Sequence, residues 1–300
     1  MNLSEKDQLF HWHPYTQHKT TGLLPAIVKG EGALLWDETG KEYIDAIASW
    51  WVNPFGHSNR IIADAIYEQL TTLEHVLFGG FTNKPAVLLS EQLLQILPSN
   101  QKKIFFSDNG STAVEVALKA TLQYFHNKAE KRTQVIAFED AFHGDTFGAM
   151  ASSGITFFTE AFQGSLIDVI RIPVPTSGNE NQTKIALQNA IQTNDCAAFI
   201  FEPLVQGAAG MVMYTPEILD ELIAICKENK VFTIADEVMT GFGKTGKTFA
   251  CDYLQQEPDM MCLSKALTGG TIPMAITTFT QQKPILAFQG QLPEARAVNL

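Results

Sequence analysis

Positive charge is scarce in this chain. Its 21 Lys and Arg stand against 32 Asp and Glu, a formal net charge of −11. That balance argues against nucleic acid or an anionic membrane as the main partner, because either favours a basic surface. It does not exclude an anionic small molecule, which local backbone dipoles can hold. Long apolar runs are missing as well: none approaches the length of a membrane span. The opening MNLSEKDQ lacks the basic-then-apolar order of a signal peptide. The chain has four cysteines, Cys196, Cys226, Cys251 and Cys262, without the paired spacing of a zinc site or a disulfide framework. Buried, reduced thiols in a cytoplasmic protein are the expectation, and no metal site is expected. Repeats, low-complexity tracts and long charge blocks are absent.

What is present is enough apolar residue, 45% of 300, for one large core or one core with a small satellite. From about Gln101 onward, short β-like runs alternate with helical stretches. KIFFS, QVIAFE, DVIRI, AAFIFE, VFTIADE, DMMCLS and MAITTFT read as seven strands. Their near-continuous apolar character fits strands buried on both faces of a parallel sheet. Between them, Ala113, Ala117 and Ala120, with Val114, Leu118 and Leu122, recur at helical spacing. Thr215-Pro216-Glu217 reads as a helix start, with an N-cap, a first-turn proline and an early acid. Alternating strands and helices predict an α/β domain with a mostly parallel seven-stranded sheet flanked by helices. The first sixty residues differ. GALLWDETGKEYIDAIAS predicts a β-hairpin around Glu38-Thr39-Gly40 and a separate, smaller lobe. The expected organisation is therefore a small-domain part over 1–60, a large domain over 61–282, and a non-matching tail over 283–300.

Lys265 opens SKALTGG directly after the apolar run DMMCLS, and Asp236 ends the run VFTIADE. Side by side in a parallel sheet, two such strands deliver both residues to the carboxyl-end crevice where open α/β sheets bind ligands. An amine and a carboxylate on opposite sides of one small ring suit pyridoxal phosphate. The amine condenses with its aldehyde, and the carboxylate keeps its ring nitrogen protonated. Other candidates follow strand ends. In SDNGS, Gly110 and Ser111 sit at a helix N-terminus, which is either a phosphate cradle or an ordinary cap. In AFHGDT, Phe142, His143 and Asp145 are either a stacking ring and polar wall or core and loop residues. Glu202 either faces the crevice or caps a neighbouring helix. Trp12 to Gln17 (WHPYTQ) and Ser49 to His57 (SWWVNPFGH) place Tyr15, Trp50 and Trp51 near turn residues. Adjacent tryptophans cannot share one side of a strand, so one ring is available to line a pocket. GFGKTGKT, residues 241–248, matches the phosphate-loop expression letter for letter. However, Asp236 to Thr240 separates it from its strand, and TFACDYLQQEP is a poor helix, so it reads as coincidence.

Taken in order, these motifs resemble the class III pyridoxal-phosphate aminotransferases, enzymes of fold type I. The strongest match is TIADEVMTGFGKTG followed by PDMMCLSKALTGG, and the resemblance covers about residues 8 to 280. WHPYTQ and the Trp50-Trp51 pair further resemble the biotin-synthesis branch, which converts 8-amino-7-oxononanoate to 7,8-diaminononanoate with S-adenosylmethionine as donor. Another class III ω-aminotransferase, an aminomutase or an inactive fragment stand as alternatives. The resemblance implies pyridoxal 5′-phosphate as cofactor, with Lys265 as its covalent anchor and proton shuttle. It implies Asp236 at the ring nitrogen, Val238 and Phe142 on the two ring faces, and Gly110 and Ser111 on the phosphate. His143 and Glu202 complete the cofactor set, and Tyr15, Trp50, Trp51, Asp145 and Lys244 shape the substrate pocket. A homodimer with small-molecule substrates is also implied. Met239 stands where many members have glutamine, and Lys244 where arginine is usual. Family members run longer, so a later threonine, a carboxylate-binding arginine and the second part of the small domain are expected to be missing.

Overall fold

Strands apolar along their whole length are stable only where both faces are covered, and the arrangement follows from that demand. A computed structural model describes residues 1–280, as two units: Met1–Phe81 and the chain from Thr82 onward.

In the first unit, α1 (Leu3–Phe10) begins with a reciprocal capping box between Asn2 and Glu5. Strands β1 (Ile27–Glu31), β2 (Leu34–Asp37) and β3 (Glu42–Ile44) form an antiparallel sheet in that order. The hairpin read from the sequence is β2–β3, with Leu34 opposite Ile44 and Trp36 opposite Glu42. Asp37 ties its turn: Thr39 and Lys41 donate to Oδ1 and the Tyr43 hydroxyl donates to Oδ2. The Thr39 hydroxyl, then Tyr43, hold its carboxyl down to about 2. Helix α2 (Arg60–Thr72) starts on an Asn59 cap and buries none of its residues.

The second unit carries α3 (Lys84–Ile96), β4 (Gln101–Ser107), α4 (Gly110–Asn127), β5 (Gln134–Phe138), α5 (Phe147–Ser152), β6 (Val169–Ile172), α6 (Glu180–Thr193) and β7 (Cys196–Phe201). A small β8–β9 ribbon (Val205–Gln206, Val212–Met213) follows, then α7 (Pro216–Glu228), β10 (Phe232–Asp236), β11 (Met260–Leu263) and β12 (Ala275–Thr280). The seven expected strands make one sheet, ordered β4-β12-β11-β10-β7-β5-β6. All neighbours are parallel except those of β12, which is antiparallel to both β11 and β4. Along β7, Phe199 and Phe201 pack in one apolar cluster with Leu219 and Leu222 of α7. Ala198 and Ile200 pack in another with Ala113 and Ala117 of α4. Helices thus cover both faces, as the two-sided burial of β7 requires. Helix α7 begins at Thr215-Pro216 as read, although the Thr215 side chain makes no capping bond. All four cysteines are buried and free, and burial pushes their thiols above the usual range. No helix among the described residues is long and apolar enough to cross a membrane.

Candidate active site

Five parallel strands end on the same edge of the sheet, and each passes straight into a candidate residue. Strand β10 ends at Asp236 and β11 ends just before Ser264-Lys265. Phe201 of β7 runs into Glu202, β5 leads to Phe142-His143, and β4 leads to Gly110-Ser111. Asp236 pairs in register with Cys262 on β11, which puts Lys265 on the adjacent strand end.

Asp236 is buried, with 4% of its surface exposed. The ring N–H of His143 donates from Nδ1 to Asp236 Oδ2 at 2.7 Å, and the Val238 amide donates to Oδ1 at 3.1 Å. His143 is itself buried, its amide donates to Ser153 Oγ at 2.8 Å, and its Nε2 is buried with no partner among the described residues. Lys265 opens a short 3₁₀ turn at φ 43°, a sparsely populated conformation for a residue with a Cβ. Burial lowers its ammonium pKa. The charges of Asp236 and Glu202 oppose that shift, and Lys244 adds to it. More of the free amine is therefore present at a given pH than for an exposed lysine.

Glu202 accepts from the Phe142 amide (3.1 Å) and the Gly207 amide (3.0 Å). Burial raises its carboxyl to about 7, His143 counteracts this, and the charge of Asp236 reinforces it. A raised carboxyl favours the protonated form in the folded state. Its contribution to stability is complete below the ordinary value of 4.5 and is lost as pH rises through about 7. That shift corresponds to on the order of 3 kcal/mol. Glu202→Gln is therefore expected to flatten this part of the pH dependence. Urea unfolding of the cofactor-free chain at about pH 5 and about pH 8 measures it; an unchanged difference between the two pH values counts against the assignment.

Helix α4 opens on Asn109, whose side chain and that of Thr112 form a reciprocal capping box. The helix geometry leaves the Gly110 and Ser111 amides without intrahelical acceptors. Gly110 is required by a close approach: a Cβ there would come within 2.7 Å of a Val238 methyl. Gly110→Ala is expected to cost about 1–3 kcal/mol through this overpacking and to weaken phosphate binding. Thermal melts with and without added pyridoxal phosphate measure both effects. Ser111 Oγ accepts from the Thr146 amide at 2.9 Å and shares a hydrogen bond with its hydroxyl. Thr146 in turn donates to Glu115, which also accepts the Gly148 and Ala149 amides. Asn109 and Thr146, inside the motifs SDNGS and AFHGDT, and Glu115 and Ser153, outside them, are supports to which the sequence alone assigns no role at the site. Of these, the Asn109 cap alone has a local sequence signal.

Phe142 is half-buried near Phe158, whereas Asp145 and Lys244 are exposed on their loops. Met239 packs toward Gly207, where an added Cβ would meet its methyl at 3.0 Å. The 241–248 loop is not a phosphate loop. A single 3₁₀ turn (Ala250–Tyr253) follows it, Lys247 donates to the Asp252 carbonyl, and the Tyr253 hydroxyl donates to the Thr245 carbonyl.

Tyr15, Trp50 and Trp51 belong to the first unit. Tyr15 meets Trp50 edge to face, with ring centroids 5.4 Å apart. The tryptophans lie not on a strand but on a left-handed turn, with φ of 48°, 48°, 66° and 69° over Ala48, Ser49, Trp50 and Trp51. Asp45 pins that turn by accepting the Ser49 amide and hydroxyl, and its Oδ2 is also 2.8 Å from His57 Nε2.

The Aminotransferase class-III family profile matches residues 15–292. The chain belongs to the class-III aminotransferases. This match extends past position 283, where the sequence reading began its unrelated tail. An adenosylmethionine-8-amino-7-oxononanoate aminotransferase of Synechococcus elongatus is 46% identical over 278 residues, 90% of this chain and 66% of that protein. The crystal structure of the enzyme of that name from Methanocaldococcus jannaschii superposes with a TM-score of 0.90 at 36% identity, covering 98% of this chain and 70% of that one. An omega transaminase from Pseudomonas jessenii, solved in complex with PMP, gives 0.88 at 28% identity, covering 97% and 67%. The chain spans about two-thirds of the length of the relatives it matches.

Class-III aminotransferases use pyridoxal phosphate, and the groups gathered in the second unit fit it. Lys265 offers an amine of lowered pKa for the aldehyde. Asp236 offers a buried carboxylate for the ring nitrogen. Helix α4 offers a glycine-serine N-terminus for the phosphate.

Proposed function

We propose that this chain carries the catalytic site of an adenosylmethionine-8-amino-7-oxononanoate aminotransferase. The reaction moves an amino group to 8-amino-7-oxononanoate and yields 7,8-diaminononanoate for biotin synthesis, with S-adenosylmethionine as donor. The observation that carries the chemistry is Lys265 at the β11 end beside Asp236 at the β10 end, its amine biased by burial toward the neutral form. Pyridoxal phosphate, when bound, supplies a carbonyl that takes up the amino group and a ring that draws electrons from the substrate carbon. The protein's own residues do the rest. Lys265 would hold the cofactor and, as a free amine, would move the proton at the reacting carbon. Asp236, oriented by His143, would keep a proton on the ring nitrogen. Val238 and Phe142 would contact the ring, and Gly110 and Ser111 would hold the phosphate. Glu202 contributes a carboxyl that exchanges its proton near neutral pH.

The identity of the substrate rests on the relatives' names and on the resemblance that assigns Tyr15, Trp50 and Trp51 to the substrate. Asp145 and Lys244 are assigned to the substrates' polar groups, and Lys244 in place of the usual arginine offers a point charge instead of a planar fork. The apolar Met239, where many members of the family have glutamine, favours the biotin-branch reading over a general ω-aminotransferase or an aminomutase. A cytoplasmic homodimer is part of the reading, and exposed Ile61, Tyr67 and Leu70 on α2 offer apolar surface to a second copy. The deciding experiment incubates the purified chain and pyridoxal phosphate with 8-amino-7-oxononanoate and a panel of donors, with mass spectrometry of the product. Diaminononanoate formed with S-adenosylmethionine supports the reading. Turnover confined to other keto acceptors refutes it, and cofactor binding without turnover leaves the chain a binding fragment.

A further inference from the structure

A cluster of metal-ligating side chains lies in the first unit, among residues given no part in transamination. Asp7 lies in α1, and His11, four residues on, is the C-cap of that helix. His11 Nδ1 lies 2.8 Å from Asp7 Oδ1. The chain then folds back and places His13 Nε2 2.7 Å from Asp7 Oδ2. The ligating atoms of the three residues all lie within 4.8 Å of one another. His18 holds the fold-back: its Nε2 accepts the His13 amide at 2.9 Å, and the two rings stack with centroids 6.0 Å apart and planes 22° from parallel.

We propose that Asp7, His11 and His13 form a binding site for a divalent metal ion of the zinc class, with one coordination position left to water. Two imidazole nitrogens and a carboxylate oxygen make a borderline donor set that suits zinc and its neighbours rather than calcium or magnesium. Ligand distances of about 2.0–2.2 Å put the edges of a tetrahedron at roughly 3.4 Å, so atoms already inside 4.8 Å need small side-chain rotations only. Binding exchanges protons simply. Each neutral ring moves its N–H from the nitrogen facing Asp7 to its other nitrogen, and a ring protonated beforehand releases one proton to solvent. One ligand comes from α1, one is its C-cap residue and one lies beyond, so the ion would staple the helix end to the segment two residues before Tyr15. The cysteine pattern carried no trace of such a site, because none of its ligands is a cysteine.

The test uses tag-free chain dialysed free of metal and of unbound cofactor. It is titrated with Zn²⁺ by calorimetry and with Co²⁺ by visible absorbance. One ion per chain is expected, with affinity falling by about tenfold or more in His11→Ala, His13→Ala and Asp7→Ala. It should be unchanged in His75→Ala. Far-UV dichroism and the cofactor absorbance of each variant confirm that the fold and the other site are intact. The proposal is overturned if wild-type chain takes up no stoichiometric ion. It is equally overturned if the three variants bind as tightly as wild type, or if the cobalt spectrum shows thiolate charge transfer, which would place the ion on a cysteine.

Discussion

Lys265→Ala is expected to abolish the absorbance band on the order of 410–430 nm that wild-type chain should acquire with pyridoxal phosphate, and to lower kcat by about 10⁴-fold. Two separate losses add up here: the covalent anchor and the base that moves the proton at the substrate carbon. General acid–base catalysis alone accounts for roughly 10²–10⁴-fold. The pH dependence of loading carries a sign that checks the environment. Burial lowers the Lys265 pKa, so the neutral amine is present at lower pH than for a free lysine, and loading should fail only as pH drops through that lowered value. Added methylamine should partly restore turnover in the Ala variant. A band that survives the substitution would mean that another amine carries the cofactor. A wild-type chain that is folded but shows no band would mean that residues beyond this sequence are needed to complete the site.

The features visible in the sequence were those with a local cause. Each of the seven strands is a run of apolar residues bounded by polar or turn residues, and two-sided burial leaves that mark without reference to the rest of the chain. Lys265 and Asp236 stood out because each follows or ends such a run. Strand direction leaves no compositional mark, so the antiparallel setting of β12 between β4 and β11 was not legible. Neither was the left-handed turn under Trp50 and Trp51, where four successive residues with side chains adopt positive φ. Its cause is the distant clamp of Asp45, which binds Ser49 four residues on and His57 twelve residues on. The Glu115–Thr146–Ser111 chain was hidden for the same reason: it joins three segments that only the sheet brings together. Asp236 and Glu237 divide the labour through strand geometry. Successive side chains point to opposite sides, so Asp236 meets His143. Glu237 instead accepts from the Thr240 hydroxyl and the Ala250 and Cys251 amides and anchors the following loop.

Asp236→Asn should separate the role of charge from the role of shape. Asn fills the same space, still accepts from the Val238 amide, and can face His143 if that ring changes tautomer, so the fold should survive. What disappears is the negative charge that holds a proton on the ring nitrogen, and kcat is expected to fall by roughly 10²–10³-fold. The covalent band should remain, because Lys265 is untouched; this distinguishes the variant from Lys265→Ala. A second consequence follows from the shared field of the site. The charge of Asp236 raises the pKa of Lys265 and that of Glu202. Removing it should move both downward, so loading extends to lower pH while Glu202 ionises earlier. Spectrophotometric loading curves across pH test the first shift, and the pH profile of kcat tests the second. Asp236→Ala is a harsher change: it leaves the buried His143 Nδ1 without its acceptor, at a cost of about 1–3 kcal/mol in stability. If Asp236→Asn keeps activity within tenfold of wild type, the carboxylate is a structural partner of His143 and the ring nitrogen takes its proton elsewhere. If activity falls while both pH shifts fail to appear, the loss is one of positioning and the electrostatic role assigned to Asp236 is wrong.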